Sequence, residues 1–486
     1  MSSREEIKAE RSKKRDLLVA AGMNPYTAQS VRTHEIVTVL DDFSQLSEAQ
    51  SVITVAGRIM AIRGHGGSIF VDLYDGTARV QLFLAKDTIE ESLFTLFTDA
   101  IDIGDFIEVT GQAFYTKRGA SAIKVAEWKI LTKTLQAIPA EHFGLQDEDE
   151  RFRKRYLDLL LRAEARELFV RKERFWDITR RFMKQRGFLE VETPTLEVTT
   201  GGAEARPFTT HHYDFDMPVH LRISIGELWQ KHLMAAGYTK VFEIGRAYRN
   251  EGSSPEHLQE FTNLEFYWAY ADYRDGMQLV TELYRYIATE LYGTTSFTVR
   301  GHTFDLADDW QEVDYVTEIK NQTDVDILTA DVSSLQEKLK SLGVQYEGET
   351  RERLVDSLWK YCRKQISGPA FLVNHPILVA PLAKRRPGTD TVEMFQPILA
   401  GSEVGRGYSE LNDPEEQRER FIVQQELLAA GDEEAMMPDW DFVEMLEYGM
   451  PPTCGFGFGE RLFAFLEGKT LRETQLFPLM RPKANE

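Results

Sequence analysis

Residues 241–273 read VFEIGRAYRNEGSSPEHLQEFTNLEFYWAYADY, and this stretch limits what the chain can become. An apolar alternating run from Val241 to Ile244 suits a β-strand. Arg249-Asn250-Glu251-Gly252 follows, then a polar loop with Ser253, Ser254 and Pro255. The chain returns through Phe261, Leu264 and Phe266, with Glu265 and Tyr267 interleaved. The pattern predicts a strand, a loop and an antiparallel strand, with charge gathered at the open end. By itself this is equally an ordinary hairpin with a solvated tip. The arginine at the first strand's end adds chemistry. A planar guanidinium grips a carboxylate or a phosphate in two parallel hydrogen bonds.

A chain of 486 residues has room for two or three domains and a large core. Its 42% hydrophobic and 28% charged residues are ordinary for a globular protein. No apolar run is long enough to span a bilayer, so no membrane partner is expected. The first residues are charged and show no apolar segment of a secretory leader. The two cysteines, Cys362 and Cys454, are far apart and form no CxxC pair. That argues against a zinc site and a disulfide framework and suits a reducing, cytoplasmic setting. A net charge of −21 speaks against nucleic-acid binding unless positive charge is focused locally.

Residues 4–21 are predicted helical up to Gly22, with Arg11, Lys14 and Arg15 on a solvated basic face. Strands are expected at 52–62, 68–74, 78–85, 106–115 and 122–131, with a helix at 88–98. Five short strands with a helix after the third match an OB-fold barrel, a scaffold that stacks single-stranded bases on aromatic side chains. Phe70 and Gln81 fall on neighbouring strands of it. The charged, proline-containing stretch after the barrel reads as a linker. The run EDERFRKRYLDLLLR is predicted to open a long helix, with Arg151, Arg153, Lys154 and Arg155 mostly in water. The proposed boundaries are a helical extension at 1–50, the barrel at 51–135, the linker at 136–164 and a second domain at 165–486. Within that domain, DDWQEVDYVTEI, SSLQEKLKSLG and RERLVDSLWKYCRK read as an inserted helical subdomain at about 305–368.

Several local patterns complete the second domain. Helix 165–186 carries apolar residues at helical spacing and leads to a strand broken by Pro194. Gly201-Gly202 permits close backbone approach to a ligand. Glu227 opens a helix. Two strands frame Gly401, and Arg406, Tyr408 and Glu410 alternate along one strand face. Near the end, PTCGFGFGERLF alternates glycines before a helix beginning at Glu460-Arg461, a weak signal when taken alone.

In combination these patterns resemble the class II aminoacyl-tRNA synthetases, with wording closest to their lysyl branch. FEIGRAYRNEG with EFTNLEFYWAYADY resembles motif 2, helix 165–186 with its proline-broken strand resembles motif 1, and GFGFGER resembles motif 3. GYSELNDP and the barrel extend the likeness over nearly the whole chain. The resemblance implies an α+β protein, an OB-fold followed by an antiparallel β-sheet domain flanked by helices. It implies activation of L-lysine with ATP and Mg2+, transfer to tRNA(Lys), and a homodimer built through motif 1.

The implied roles fall on particular residues. Arg249 and Arg461 are catalytic, Arg249 between the lysine carboxylate and the α-phosphate, Arg461 toward the γ-phosphate. Glu251 and His257 position ATP, Phe261 stacks adenine, and Gly457 and Gly459 let the nucleotide lie against the sheet. Glu403 holds the metal. The lysine pocket takes Gly202, Glu227 for the α-ammonium, Glu265, Tyr267, Arg406, Tyr408, and Glu410 for the ε-ammonium. Arg63, Phe70, Gln81 and Glu127 read the anticodon.

The chain departs from the family's wording at five places, the mildest being Tyr408 for the usual phenylalanine. Gly226 stands where a proline usually precedes Glu227, and Asn374-His375 stand for aspartate-tyrosine. Gln396 replaces a metal-binding glutamate, and a neutral amide is a poorer magnesium ligand. Arg406 replaces an asparagine. His375, a lone histidine, reads as structural. Three alternatives remain: an aspartyl- or asparaginyl-type enzyme, favoured by Glu460-Arg461 and opposed by Glu410; an inactive RNA-binding relative; and an enzyme that lysylates a protein, whose relatives lack the barrel.

Overall fold

The computed structural model describes residues 4–139, 145–203, 205–252, 254–346, 350–377, 380–430 and 435–483. The chain divides into two compact units, 1–146 and 147–486, inside the stretch read as a linker.

In the first unit, β1 (Val52–His65), β2 (Ser68–Tyr74), β3 (Arg79–Ala85), β4 (Phe106–Tyr115) and β5 (Ser121–Thr132) close a barrel in the order β1-β2-β3-β5-β4. Strict alternation along β2 puts Ile69, Val71 and Leu73 inside and Phe70 and Asp72 outside. The Glu91–Ala100 helix adds Phe94 and Phe97 to the barrel's core, and Phe97 meets Trp128 edge-on with ring centroids 5.2 Å apart. The Arg4–Ala20 helix does not leave its basic face in water. Arg11 is buried and donates to the Ile103 carbonyl at 3.0 Å, while Lys14 meets Asp102 at 2.6 Å. Beside them the fully buried Lys133 bonds Asp102 and Asp105 at 2.6 and 2.7 Å. Each buried cation is thus matched by carboxylate or carbonyl oxygens, which is what permits its burial.

The second unit is built on a nine-stranded sheet. Its strands are β6 (Leu189–Glu190), β10 (Lys240–Tyr248), β11 (Glu260–Ala269), β14 (Gln311–Asp314), β15 (Ala370–Val373), β16 (Met394–Leu399), β17 (Ser402–Glu403), β18 (Arg406–Ser409) and β19 (Thr453–Gly459). They run β14-β15-β16-β18-β19-β11-β10-β6, with β17 pairing beside β16. Only the two outer pairs, β14/β15 and β10/β6, are parallel. Two smaller sheets join β7 (Leu196–Glu197), β8 (Thr209–His212) and β9 (Met217–Leu221), and β12 (Ser296–Val299) with β13 (His302–Asp305).

One face of the large sheet is covered by the Ala163–Gln185 and Tyr273–Tyr292 helices, whose apolar stripes join Phe266, Phe395, Phe456 and Phe458 in one core. Phe395 and Phe456 stack nearly parallel at 5.4 Å. Gly407 makes room for this. A β-carbon there would come within 2.8 Å of the Phe395 ring and 2.7 Å of the Gly455 carbonyl. The opposite face, reached by Val241, Tyr267 and Ala269, packs on the Glu227–Ala235 and Trp440–Tyr448 helices.

Three local expectations are corrected. The run from Glu148 is two short helices, Glu148–Arg153 and Arg155–Leu161, broken at Lys154. Arg155 is buried and pairs with Asp158 at 3.0 Å. It also donates to the Glu473 and Gln475 carbonyls, so neither phosphate nor water meets it. In DDWQEVDYVTEI the residues Gln311–Asp314 form β14, and the helix begins only at Tyr315 with Asp314 as its N-cap.

Candidate active site

A cavity of about 490 Å³ lies over one face of the large sheet, along β11, β16, β18 and β19, with Arg249 entering it just beyond β10. Fifteen expected side chains or glycines line it together: Gly202, Glu227, Arg249, Glu251, His257, Phe261, Glu265, Tyr267, Glu403, Arg406, Tyr408, Glu410, Gly457, Gly459 and Arg461. The pairing of β11 with β19 sets Glu265 opposite Gly457 and Tyr267 opposite Gly455. That of β18 with β19 sets Arg406 opposite Gly457.

The closed end is acidic. Glu227, Glu265 and Glu410 are all buried. Glu265 accepts from the Ile225 amide at 2.8 Å, which pins the backbone just before Glu227. There Gly226 adopts a left-handed φ of 59°, and a β-carbon on it would lie 1.9 Å from Thr193 Oγ1. Glycine at this position therefore follows from both backbone conformation and space. Tyr408 donates to Glu227 Oε1. Glu410 Oε2 lies 2.6 Å from Lys231 Nζ, an ion pair rather than an aligned hydrogen bond, and Oε1 has no partner. Burial raises the pKa of both Glu265 and Glu410. Glu227 adds to it as a neighbouring negative charge, and Lys231 opposes it at Glu410. A buried carboxylate oxygen without a donor is a receptor for a cation.

The open end is rich in guanidinium. Arg249 lies with its guanidinium carbon 5.2 Å from the Phe261 ring centroid and donates to the Ile223 carbonyl at 3.3 Å. Burial lowers its pKa, with Glu251 and Glu265 opposing. Arg461 donates to the Glu256 carbonyl at 3.3 Å, and Arg300 pairs with the Glu256 carboxylate at 3.1 Å. Arg406 is exposed and forms no ion pair among the described residues. His257 Nδ1 is 2.8 Å from Ser254 Oγ. Such an arrangement receives a polyanion at one end and a cation at the other.

The residues expected around a magnesium ion do not form a site of the protein's own. Glu403 Oε1 accepts from Trp359 Nε1 at 2.6 Å, and its Oε2 meets Arg363 at 3.2 Å. Gln396 Oε1 is 2.7 Å from His375 Nε2. Burial first of all pushes His375 down to about 3, so its imidazole is neutral, and against the amide oxygen of Gln396 its Nε2 is the donor. Among the described residues no group of three His, Cys, Asp or Glu side chains could hold a metal. His375 is buried between Gln396 and the Tyr315 ring and does not line the cavity.

On the barrel, register pairs Arg63 with Phe70, and Gln81 with Asp72 on the next strand. Arg63, Phe70 and Gln81 thus share neighbouring strands β1, β2 and β3, and Arg63 meets Asp72 at 2.7 Å. Glu127 is exposed on β5, the strand beyond β3.

Sequence reasoning missed several residues. Lys231 sits one helical turn beyond Glu227, and that i, i+4 spacing within a buried helix was the available signal. Phe83 and Phe114 continue Phe70 into a row, with centroids 5.1 and 5.8 Å apart, and both occupy outward positions in alternating strands. Trp359 and Arg363 belong to the helical insertion, where nothing local marks them.

Two family descriptions match the chain. "tRNA synthetases class II (D, K and N)" covers residues 147–481, and "OB-fold nucleic acid binding domain" covers residues 53–131. Among full-length relatives, a protein of Roseiflexus sp. (strain RS-1) named "Lysine--tRNA ligase" is 41% identical over 98% of this chain and 99% of its own. Proteins of the same name from Moorella thermoacetica and Thermosipho melanesiensis are 40% and 38% identical, each over 99% of this chain and over 99% and 97% of their own.

Proposed function

The chain belongs to the class II tRNA synthetases of the D, K and N group, and from that membership we propose that it is a lysine--tRNA ligase whose reaction runs in the cavity just described. The observation that carries the choice of lysine is Glu410, a buried carboxylate whose Oε1 has no partner at the closed end of a cavity. An aspartate or asparagine side chain would need a cation or an amide there, so the aspartyl- and asparaginyl-type reading is not favoured.

In this reading L-lysine enters with its ε-ammonium toward Glu410 and its α-ammonium toward Glu227, with Gly202 beside it. Tyr267 and Tyr408 wall the aliphatic stem, and Glu265 fixes the backbone that carries Glu227. Arg249 holds the lysine carboxylate against the α-phosphate of ATP, offsetting the repulsion of two anions and aligning attack. A carboxylate oxygen bonds to the α-phosphorus and the bond to the leaving pyrophosphate breaks. Phe261 receives adenine, Glu251 and His257 position the nucleotide, and Arg461 faces the γ-phosphate. Gly457 and Gly459 let ATP lie close to β19. A hydroxyl at the tRNA 3′ end then attacks the lysyl carbonyl, and AMP leaves. No protein nucleophile takes part. No step is assigned to magnesium, because Glu403 and Gln396 are engaged by this chain's own side chains.

The barrel reads the anticodon of tRNA(Lys) through Arg63, Phe70, Gln81 and Glu127. Exposed Leu189, Leu196 and Val198 support pairing of two copies through the motif 1 region, as a homodimer. The cytoplasm is the expected compartment, and no helix among the described residues is long and apolar enough to cross a membrane. Amino-acid-dependent ATP–pyrophosphate exchange, measured with each of the twenty amino acids, tests the assignment. Lysine is expected to support exchange far above the rest. Strong exchange with aspartate or asparagine and none with lysine would overturn it.

A further inference from the structure

We infer that Lys231 is a positioning residue that sets the charge of the amino-acid pocket, holding Glu227 and Glu410 from behind so that one oxygen of each faces the substrate. The inference rests on the lysine reading above.

The geometry is specific. Lys231 Nζ lies 2.8 Å from Glu227 Oε1 and 2.6 Å from Glu410 Oε2 and is almost wholly buried. Both carboxylates line the cavity, and Lys231 does not. The other oxygens point to the glycine walls. A β-carbon on Gly202 would lie 2.8 Å from Glu227 Oε2, and one on Gly455 would lie 2.1 Å from Glu410 Oε1. Both glycines line the cavity, so those oxygens face it. The rings of Tyr267, Tyr408 and Phe442 surround the ammonium with centroids 5.6–5.9 Å away. They keep water out and add cation–π attraction.

Charge explains why a lysine belongs there. Three buried carboxylates crowd this end of the cavity, and crowded buried carboxylates tend to take up protons. A protonated carboxyl is a poor receptor for an ammonium. The resident ammonium offsets one of the three charges. The remaining two match the two ammonium groups of free lysine, whose own carboxylate goes to Arg249. The groups facing Glu410 are Lys231 and Glu227 from the helix, Glu265 and Tyr267 from β11, Tyr408 from β18, which ends just before it, and Cys454 from β19. Lys231 is the cation among them.

The test uses the full-length enzyme with Lys231→Met and, as a polar neutral replacement, Lys231→Gln. Pyrophosphate exchange is followed from about pH 6.5 to about pH 9, because a carboxylate released from its partner titrates higher. At neutral pH the KM for lysine is expected to rise about tenfold or more, and to fall back toward the unsubstituted value as pH increases, since one pKa unit is tenfold in the ionised fraction. The KM for ATP stays within about twofold, as the interaction removed lies at the amino-acid end. Discrimination of lysine against norleucine, which lacks the ammonium, is expected to fall in parallel. A folded Gln or Met variant with unsubstituted pH dependence and discrimination would overturn the inference. Failure of both variants to fold would overturn it too, making Lys231 a requirement of the fold. Absence of lysine-dependent exchange in the unsubstituted enzyme would instead refute the lysine reading.

Discussion

At the residue scale, the chain's departure at Arg406 has a spatial answer. A regular strand aims Arg406, Tyr408 and Glu410 to one side, which invites competition between the guanidinium and a substrate ammonium at Glu410. The electrostatic neighbours of Arg406 are instead Arg249, His375, Tyr315 and Tyr408. It lies toward the open end, exposed and without an ion pair among the described residues. Arg406→Ala is therefore expected to raise the KM for ATP about tenfold, the order of one charged hydrogen bond to phosphate, and to leave binding of cadaverine unchanged. Equal losses for lysine and cadaverine with ATP unaffected would show that Arg406 only shapes the pocket. A second residue is informative about stability. Burial pushes Glu197 up to about 8, although Trp229 donates to it at 3.1 Å. Its native state holds a proton that the unfolded chain releases near the ordinary carboxylate value. Folding thus takes up a proton between about pH 4.5 and about pH 8, and stability falls as pH rises through that window. Glu197→Gln keeps the acceptor and has no charge to lose. Its melting temperature is expected to match the unsubstituted protein at pH 5 and to exceed it by about 3 °C or more at pH 9. A constant difference at both pH values would refute the account.

At the element scale, the helix that presents Glu227 depends on the residue before it. Gly226 is left-handed and pressed against Thr193, and Glu265 holds the neighbouring Ile225 amide. Gly226→Ala adds both backbone strain and a clash, about 1–3 kcal/mol in strain alone. It is expected to lower kcat/KM for lysine at least about tenfold while changing the KM for ATP little, since only Glu227 and Lys231 are displaced. Unchanged lysine kinetics would mean that the helix start does not position the pocket. Elements with strong local patterns were legible in the sequence. The barrel strands alternate over seven residues or more, and β2 and β4 fall where alternation places them. The hairpin of β10 and β11, the glycine strand β19 and the grouping of the cavity residues were also legible, because the motifs bring together distant segments of fixed chemistry. What escaped depends on partners far along the chain. β14 is four exposed or half-exposed residues, three of them polar, beside a helix, and only pairing with β15 makes it a strand. Arg11 and Arg155 read as solvated because their partners, Ile103 and Gln475, lie far along the chain. Lys231 escaped for the same reason: half of its environment is Glu410.

At the scale of the whole molecule, two units with separate cores divide the work in the proposed function. Adenylate formation needs only the cavity of the second unit, whereas choice of tRNA falls to the barrel. The barrel face offers Phe70 half-buried on β2 with Phe83 5.1 Å away on β3. Phe70 is thus supported from one side and open on the other, unlike Val71 and Leu73, which fill the interior. An aromatic ring held in that way is rigid enough to stack a base without supplying core. Truncating it therefore costs the barrel little and costs a stacked base about 1–3 kcal/mol. Phe70→Ala is expected to leave lysine-dependent pyrophosphate exchange at the unsubstituted rate and to lower kcat/KM for tRNA charging by about 5- to 150-fold, the same energy read as a ratio. The Phe83→Ala variant should fall between, since it removes the support and leaves the stacking ring. Measuring exchange and charging on the same preparations separates the two units directly. If exchange and charging decline together, with a lower melting temperature, Phe70 belongs to the barrel's core and the anticodon must be read elsewhere.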